Sequence, residues 1–222
     1  MTSTRPIAGP ATLVLERRPE SPHEPDSVAD APLLGFEAFL PDHRVFGWIR
    51  HGPDRLTDIL NAHAELILVN VQLDRLADGR IEWLEQLRLD RDSLLAVRAG
   101  GTRGDAARRQ RSVLHPLIVQ AGPYLIGGYL HARLGVDPFA EIERRPPMVP
   151  LSTGWLEHWM AGQRHRQWAG TILFNRALVD AVELVGEAGL EFGVTSYPIQ
   201  SGTVGSGTRH DLPGTAARDE EL

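Results

Sequence analysis

Short apolar segments, separated by turn-forming or charged residues, recur along this chain and predict a mainly β protein. The segments occur twice in the same order. Residues 45–49 correspond to 126–130, because each segment has a glycine followed by an aromatic and an aliphatic residue. Residues 66–70 correspond to 148–152, and each is an apolar strand that ends in a small polar residue. The chain is therefore predicted to contain one small, β-rich unit twice.

Further matches extend the two copies in both directions. They pair 55–59 with 138–142 as a short helical turn, Gly79 with Gly162, 87–91 with 172–176, and 96–97 with 181–182. Each copy is thus predicted to run strand, turn, short helix, long strand, tight hairpin, strand and final strand. Short, bent strands of this kind close best as a small barrel or pack copy against copy, so we expect the copies to share an interface or to oligomerise.

Both hairpins can be predicted from their turn residues. Asp78-Gly79 favours a two-residue type I′ turn, which would place Leu76 opposite Ile81, Arg75 opposite Glu82 and Leu73 opposite Leu84. In the second copy Ala161-Gly162 forms the turn. Its register predicts an aromatic pair, an ion pair and a cation–π pair on one face: Trp155 with Trp168, Glu157 with Arg166, and Trp159 with Arg164.

Composition divides the chain into five segments. Prolines among charged residues predict a flexible arm over 1–34, and glycine, serine and threonine predict a flexible tail over 186–222. The first β module spans 35–98 and the second 113–185, joined by an arginine- and glycine-rich linker over 99–112. A short strand near 190–194 is possible, and Phe36, Phe39 and Leu40 could form an extra strand or a docking segment before the first module.

The first copy contains Arg55-Leu56-Thr57-Asp58-Ile59-Leu60-Asn61, followed by an apolar strand over 66–71. With this turn and strand it resembles an uncharacterised bacterial domain family. The second copy keeps the strand as Val149-Pro150-Leu151-Ser152-Thr153 but lacks the arginine and the asparagine. The resemblance implies an Sm-like small β-barrel present in tandem, and it implies no activity. Sm-like barrels often bind RNA or protein, which is an analogy at the level of fold.

Composition also limits the chemistry. There is no cysteine, and all 23 basic residues are arginine, so disulfides, thiolate metal sites and Schiff-base lysines are excluded. The net charge of −6 disfavours nucleic acid as a partner, although a local basic patch stays possible. No apolar run approaches the roughly 20 residues that span a bilayer. We expect no secretory signal, because the sequence does not begin with a basic segment followed by an apolar one. We expect a cytoplasmic protein that does not bind membranes.

Two groups of residues are candidates for binding a partner. Trp48, Tyr129 and Trp159 are the best interface anchors, if their side chains lie outside the core. Arg108, Arg109 and Arg111, with Arg103, could contact phosphate or an acidic partner surface, or could simply belong to a solvated connector.

His158 and His165 face each other in the predicted second hairpin and could hold a metal ion, with His131 as a possible third ligand. We favour a partly exposed polar pair over a metal site, because no third ligand is evident. Arg55, Asp58 and Asn61 share one helical face, where Asp58 or Thr57 would cap the helix, Arg55 would pair with Asp58, and Asn61 would end the turn.

The sequence contains no catalytic constellation, and we expect no cofactor. The leading hypothesis is a non-catalytic assembly or adaptor protein that binds protein partners, in a larger complex or as a homo-oligomer, through its β modules and tails. An RNA-binding Sm-like protein is the first alternative. A metal-dependent enzyme that uses His158 and His165 is the second.

Overall fold

The computed structural model describes residues 13–15, 33–50, 54–98 and 112–192. The arginines of the linker, Arg103, Arg108, Arg109 and Arg111, lie outside these ranges. The fold is mainly β, as the sequence predicts. Its strands are β1 (Leu13–Leu15), β2 (Leu33–Phe39), β3 (His43–Arg50), β4 (Glu65–Arg75), β5 (Ile81–Asp90), β6 (Ala96–Arg98), β7 (Ser112–Ala121), β8 (Tyr124–Arg133), β9 (Met148–Met160), β10 (Gln163–Asn175) and β11 (Ala181–Leu184).

Three α-helices and two single 3₁₀ turns accompany the described strands. The helices are α1 (Leu56–Ala62), α2 (Pro138–Arg144) and α3 (Glu187–Phe192), and the 3₁₀ turns are Arg91–Ser93 and Arg176–Leu178. Each of α1 and α2 joins the second and third strands of its half. Their apolar residues pack inward at a spacing of four, as Leu56 and Leu60 do in α1 and Pro138 and Ile142 do in α2.

All the strands described belong to one hydrogen-bonded sheet, in the order β11-β7-β8-β9-β10-β6-β2-β3-β4-β5, with β1 added in parallel alongside β10. The first half contributes β6-β2-β3-β4-β5 and the second contributes β11-β7-β8-β9-β10, so the order of strands is the same in both. The halves join where β10 pairs antiparallel with β6. They are therefore continuous edge to edge.

Irregularities of the backbone recur at matching places in the two halves. The pairing of β3 with β4 is interrupted by a bulge between Phe46 and Trp48, and that of β8 with β9 between Gly127 and Tyr129. Asn70 and Thr153 have positive φ angles of 48° and 49°. The structure aligns these two residues, so the sequence match of 66–70 with 148–152 was wrong by one position. The match of 55–59 with 138–142 was also wrong by one position, because α1 begins at Leu56 and α2 at Pro138.

The buried apolar side chains form two clusters, one centred in each half. The first-half cluster also takes in Met148 and Leu173 from the second half. The second-half cluster takes in four residues from the first half: Phe39, Leu76, Leu95 and Ala96. Each half thus completes its core with side chains of the other, which stabilises the junction.

The first hairpin differs from its prediction. Asp74 lies opposite Ile81 and Leu73 opposite Glu82, two residues away from the predicted register. A four-residue loop over 76–79 replaces the type I′ turn, and it is closed by a bond of 2.8 Å from Gly79 N–H to the Arg75 carbonyl oxygen. Leu76 is buried in the core cluster of the second half. This tertiary contact holds the loop open.

Both predicted flexible ends contain structure. Leu13–Leu15 form β1, which pairs with Arg164, His165 and Arg166 of β10. At the other end, the strand predicted near 190–194 is wrong, because Glu187–Phe192 form α3. The extra strand predicted from Phe36 and Phe39 is confirmed as β2.

Candidate binding surface

The second hairpin carries a row of aromatic and charged side chains on one face of β9 and β10. The predicted register is confirmed in full. The turn at Ala161-Gly162 has φ angles of 50° and 76°, as a type I′ turn requires. We call the face formed by the three cross-strand pairs the tryptophan–arginine face; it consists of Trp155, Glu157, Trp159, Arg164, Arg166 and Trp168.

Charge contacts on this face differ from those predicted. The guanidinium carbon of Arg166 lies 4.0 Å from the ring centroid of Trp155 and 5.3 Å from that of Trp168. The carboxylate of Glu157 lies 2.6 Å from Arg164, its diagonal neighbour. The cation–π pair predicted between Trp159 and Arg164 is therefore wrong. Arg166 is the cation that stacks on indole rings, and burial lowers its pKa.

Trp155 is the buried member of the tryptophan–arginine face, and its indole ring is closely packed. Its side chain is fully buried, and its indole N–H donates a hydrogen bond of 2.8 Å to the Leu190 carbonyl oxygen of α3. On the other side, β8 approaches so closely that a Cβ atom on Gly127 would lie 2.3 Å from Trp155 Cε2. Only glycine fits at this position. α3 and Gly127 thus position the indole of Trp155, and the guanidinium of Arg166 stacks on this indole.

Two indole rings on the same face are exposed to solvent. The exposed fraction is 42% for Trp159 and 54% for Trp168. Large exposed aromatic side chains next to fixed charges are typical of interface anchors. The sequence indicated Trp159 as an anchor but not Trp168. Alternation along β10 places Trp168 on the same face as Arg166, and this signal could have found it.

The other two predicted anchors occupy matching positions on corresponding strands of the two halves. Trp48 on β3 and Tyr129 on β8 are both half-buried. The hydroxyl of Tyr129 donates a hydrogen bond to the Glu187 carboxylate of α3. Tyr129 is therefore tied to the packing of α3, and Trp159 is the most exposed of the three predicted anchors.

The opposite face of the hairpin holds the histidine pair. The rings of His158 and His165 are stacked, with centroids 5.4 Å apart and planes 21° apart. Tyr124 and Phe39 pack against His158, with centroid distances of 5.6 and 6.4 Å. Both histidines are buried, and His158 is only 1% exposed. The prediction of a partly exposed pair is wrong because aromatic side chains from other strands cover it.

The environment of His158 favours its neutral form. Neither of its ring nitrogens has a hydrogen-bond partner among the described residues. Burial, together with the charges of Arg44 and His165, lowers the pKa of His158 to about 3. Within the described ranges, no group of three or more histidines or carboxylates is arranged to hold a metal ion. His131, the possible third ligand, contacts Ser112 Oγ at 3.0 Å and Ser152 Oγ at 2.9 Å.

A buried polar cluster at the junction of the halves was not predicted. The Glu37 carboxylate lies 3.4 Å from Arg44, 3.1 Å from Arg98 and 2.8 Å from the amide nitrogen of Gln167. The first three residues belong to the first half and Gln167 to the second. Because the cluster depends on the pairing of β10 with β6, no local signal in the sequence indicates it.

The residues that carry the family resemblance have structural contacts. The side chain of Asn61 forms two hydrogen bonds with the backbone of Met148, at 3.0 and 3.2 Å. Asn61 therefore links α1 to β9 instead of ending its own turn. Arg55 occupies the N-cap position of α1, which has no side-chain cap. Asp58 is exposed, and the predicted capping role is wrong for Asp58 and Thr57.

No protein-family model matches this chain, and neither a curated protein nor a solved structure does. None of the helices described is long and apolar enough to cross a membrane.

Proposed function

We propose that this chain is a non-catalytic assembly or adaptor protein of the cytoplasm, and that it binds a protein partner through the tryptophan–arginine face. In this proposal each half is a small bent-sheet unit of the Sm-like kind. The support for that part is the identical order of strands in the two halves.

One observation carries the proposal: two exposed indole rings lie on the same face as a buried, preorganised guanidinium. Trp159 and Trp168 expose about half of their surface, while Arg166 is already stacked between Trp155 and Trp168. Tryptophan and arginine are the residues most enriched among interface hot spots. Because Arg166 and Trp155 are held by the fold, binding would cost little side-chain entropy at this part of the face.

The experiment is a quantitative pull-down from native extract with three forms of the full chain. We expect the wild type to retain a specific set of proteins, and the double variant Trp159→Ala with Trp168→Ala to lose it. The matched control is Leu134→Ala with Phe139→Ala. It removes two exposed apolar side chains from another part of the surface, so it should retain the same proteins. Equal retention by all three forms would contradict the proposal.

RNA is the second candidate ligand, and the same face favours it. Exposed indoles beside arginine provide the stacking surface on which single-stranded bases bind. Filter binding of a single-stranded RNA at two salt concentrations tests this candidate. It predicts an affinity that falls steeply with salt and that falls further when Trp168 is replaced by alanine. Salt-independent or undetectable binding excludes it.

A further inference from the structure

The sheet has two terminal strands, β5 at one end and β11 at the other. Among the described residues, each of them pairs with a single neighbour: β5 with β4 and β11 with β7. An edge strand presents unpaired N–H and C=O groups, which can pair with another strand.

In the interior of the sheet, the strands that correspond to these two edges are joined to each other. The junction pairs Ile172 with Arg98, Leu173 with Val97, and Phe174 with Ala96. A hydrogen bond of 2.9 Å from Asn175 N–H to the Leu95 carbonyl oxygen extends it. The fourth strand of one half therefore already binds the fifth strand of the other.

Local geometry establishes which edge residues correspond to those of the junction. Asp90 ends β5 and caps the 3₁₀ turn that follows, as Asn175 does at the end of β10. The N–H of Leu95, before β6, bonds to Phe39, and that of Asp180, before β11, bonds to Gln120, both at 2.9 Å. β5 thus corresponds to β10, and β11 to β6.

β5, which has one neighbouring strand among the described residues, exposes apolar side chains. Ile81 is 53% exposed and Trp83 is 63% exposed, and Leu84 is also exposed. At the other end of the sheet, Leu184 of β11 is exposed too. Along β10, by contrast, most residues are buried, because β1, β6 and β9 cover it. A ten-residue edge strand is unusual unless another strand pairs with it.

We propose that β5 of one chain pairs antiparallel with β11 of a second copy, so that chains associate head to tail. The register of the junction carries over to this contact. It places Leu87 opposite Glu183, Arg88 opposite Val182, and Leu89 opposite Ala181.

A second copy is the occupant that the structure favours, because the chain carries both complementary edges and shows in its own interior that they fit. The contact is heterologous, so it leaves a free β5 and a free β11 at the ends of any open assembly. It is also separate from the tryptophan–arginine face, and the two proposals can fail independently.

Cross-linking tests the register directly, since the chain has no cysteine of its own. The Asn175–Leu95 pair is hydrogen-bonded, and pairs alternate along an antiparallel ladder. Ile172 and Arg98, and hence Leu87 and Glu183, are therefore a non-hydrogen-bonded pair. The Cα atoms of such a pair lie about 4.5 Å apart, which suits a disulfide.

The two single variants Leu87→Cys and Glu183→Cys are oxidised separately and as a mixture. We expect a covalent dimer in the mixture and little in either sample alone. A dimer of Leu87→Cys with itself would indicate symmetric β5–β5 pairing and overturn the proposal. Mixing Glu85→Cys with Glu183→Cys is the control for register, and it should cross-link far less.

Sedimentation of the full chain provides the second test. We expect the wild type to form concentration-dependent oligomers. By the same alternation, the N–H of Arg88 points away from β4. Arg88→Pro removes this donor and should weaken association about tenfold or more, whereas Arg88→Ala keeps it and should associate like the wild type. A wild type that stays monomeric at its highest soluble concentration overturns the proposal, as does equal association of both variants.

Discussion

Replacing His158 by phenylalanine should remove a large part of the acid sensitivity of this fold. His158 is buried against Tyr124, Phe39 and His165, and neither of its ring nitrogens has a hydrogen-bond partner among the described residues. Phenylalanine keeps an aromatic ring at this position but cannot be protonated. The change therefore tests the cost of charging the buried imidazole.

The magnitude follows from the difference in pKa between the folded and the unfolded chain. Burial holds the pKa of His158 at about 3 in the fold, against 6.5 when it is unperturbed. Because the folded pKa is the lower one, the unfolded chain binds the extra proton first. The contribution of neutral His158 to the free energy of unfolding is fully present above pH 6.5. It decreases by about 1.4 kcal/mol per pH unit as the pH drops from 6.5 towards 3. Between pH 7.5 and 5.0 the loss from His158 is about 2 kcal/mol.

Urea unfolding followed by tryptophan fluorescence at pH 7.5 and 5.0 measures this loss. We expect the free energy of unfolding of the wild type to fall by about 2 kcal/mol more than that of His158→Phe. The phenylalanine ring is larger than the imidazole and can change the packing energy. This change is the same at both pH values, so it cancels when each protein is compared with itself at pH 7.5 and 5.0. His63→Gln, which changes an exposed histidine, is the control and should behave like the wild type. An equal pH dependence in His158→Phe and the wild type would refute the reasoning.

Three further changes test the packing. Gly127→Ala should lower the melting temperature and destabilise the fold by about 1–3 kcal/mol or more, because the new Cβ would collide with Trp155; Gly170→Ala, which meets no atom within 4 Å, should not collide with anything. Asn61→Ala loses both hydrogen bonds to the Met148 backbone and should cost about 1–3 kcal/mol in urea unfolding, whereas an unchanged midpoint would show that the link is dispensable. Trp155→Phe removes the indole donor to α3 and should speed amide exchange in that helix about tenfold; unchanged protection would contradict this.

The second hairpin shows how far local chemistry reaches. Its turn has two residues, and the side chains on each side form complementary cross-strand pairs, so a single register satisfies turn and strands together. The partners within that register were not all predictable. Glu157 forms an ion pair with Arg164, its diagonal neighbour. Arg166, which lies directly opposite Glu157, is stacked on Trp155, and Trp155 is hydrogen-bonded to α3. The packing of α3, which is distant in the sequence, therefore affects which side chains pair within the hairpin.

The first hairpin shows where local chemistry fails. Asp78-Gly79 favours a two-residue turn, yet the chain forms a four-residue loop over 76–79. The N–H of Leu76 bonds to the Asp42 carbonyl oxygen, and its own carbonyl oxygen accepts a bond from Ala161 N–H, both at 2.9 Å. Burial of Leu76 in the core of the other half outweighs the preference of the turn, which is worth little by comparison.

By itself, the sequence determined the mainly β class, the repeated order of elements and the register of the second hairpin. Each of these depends on contacts between residues that are close in the sequence, or on a sequence pattern that occurs twice in the chain. Only the tertiary structure decided that β10 and β6 join the halves into one sheet, that Glu37 meets Gln167, and that the histidine pair is buried. These features depend on which strand edges meet and on side chains up to 130 positions apart, whose proximity no local propensity encodes.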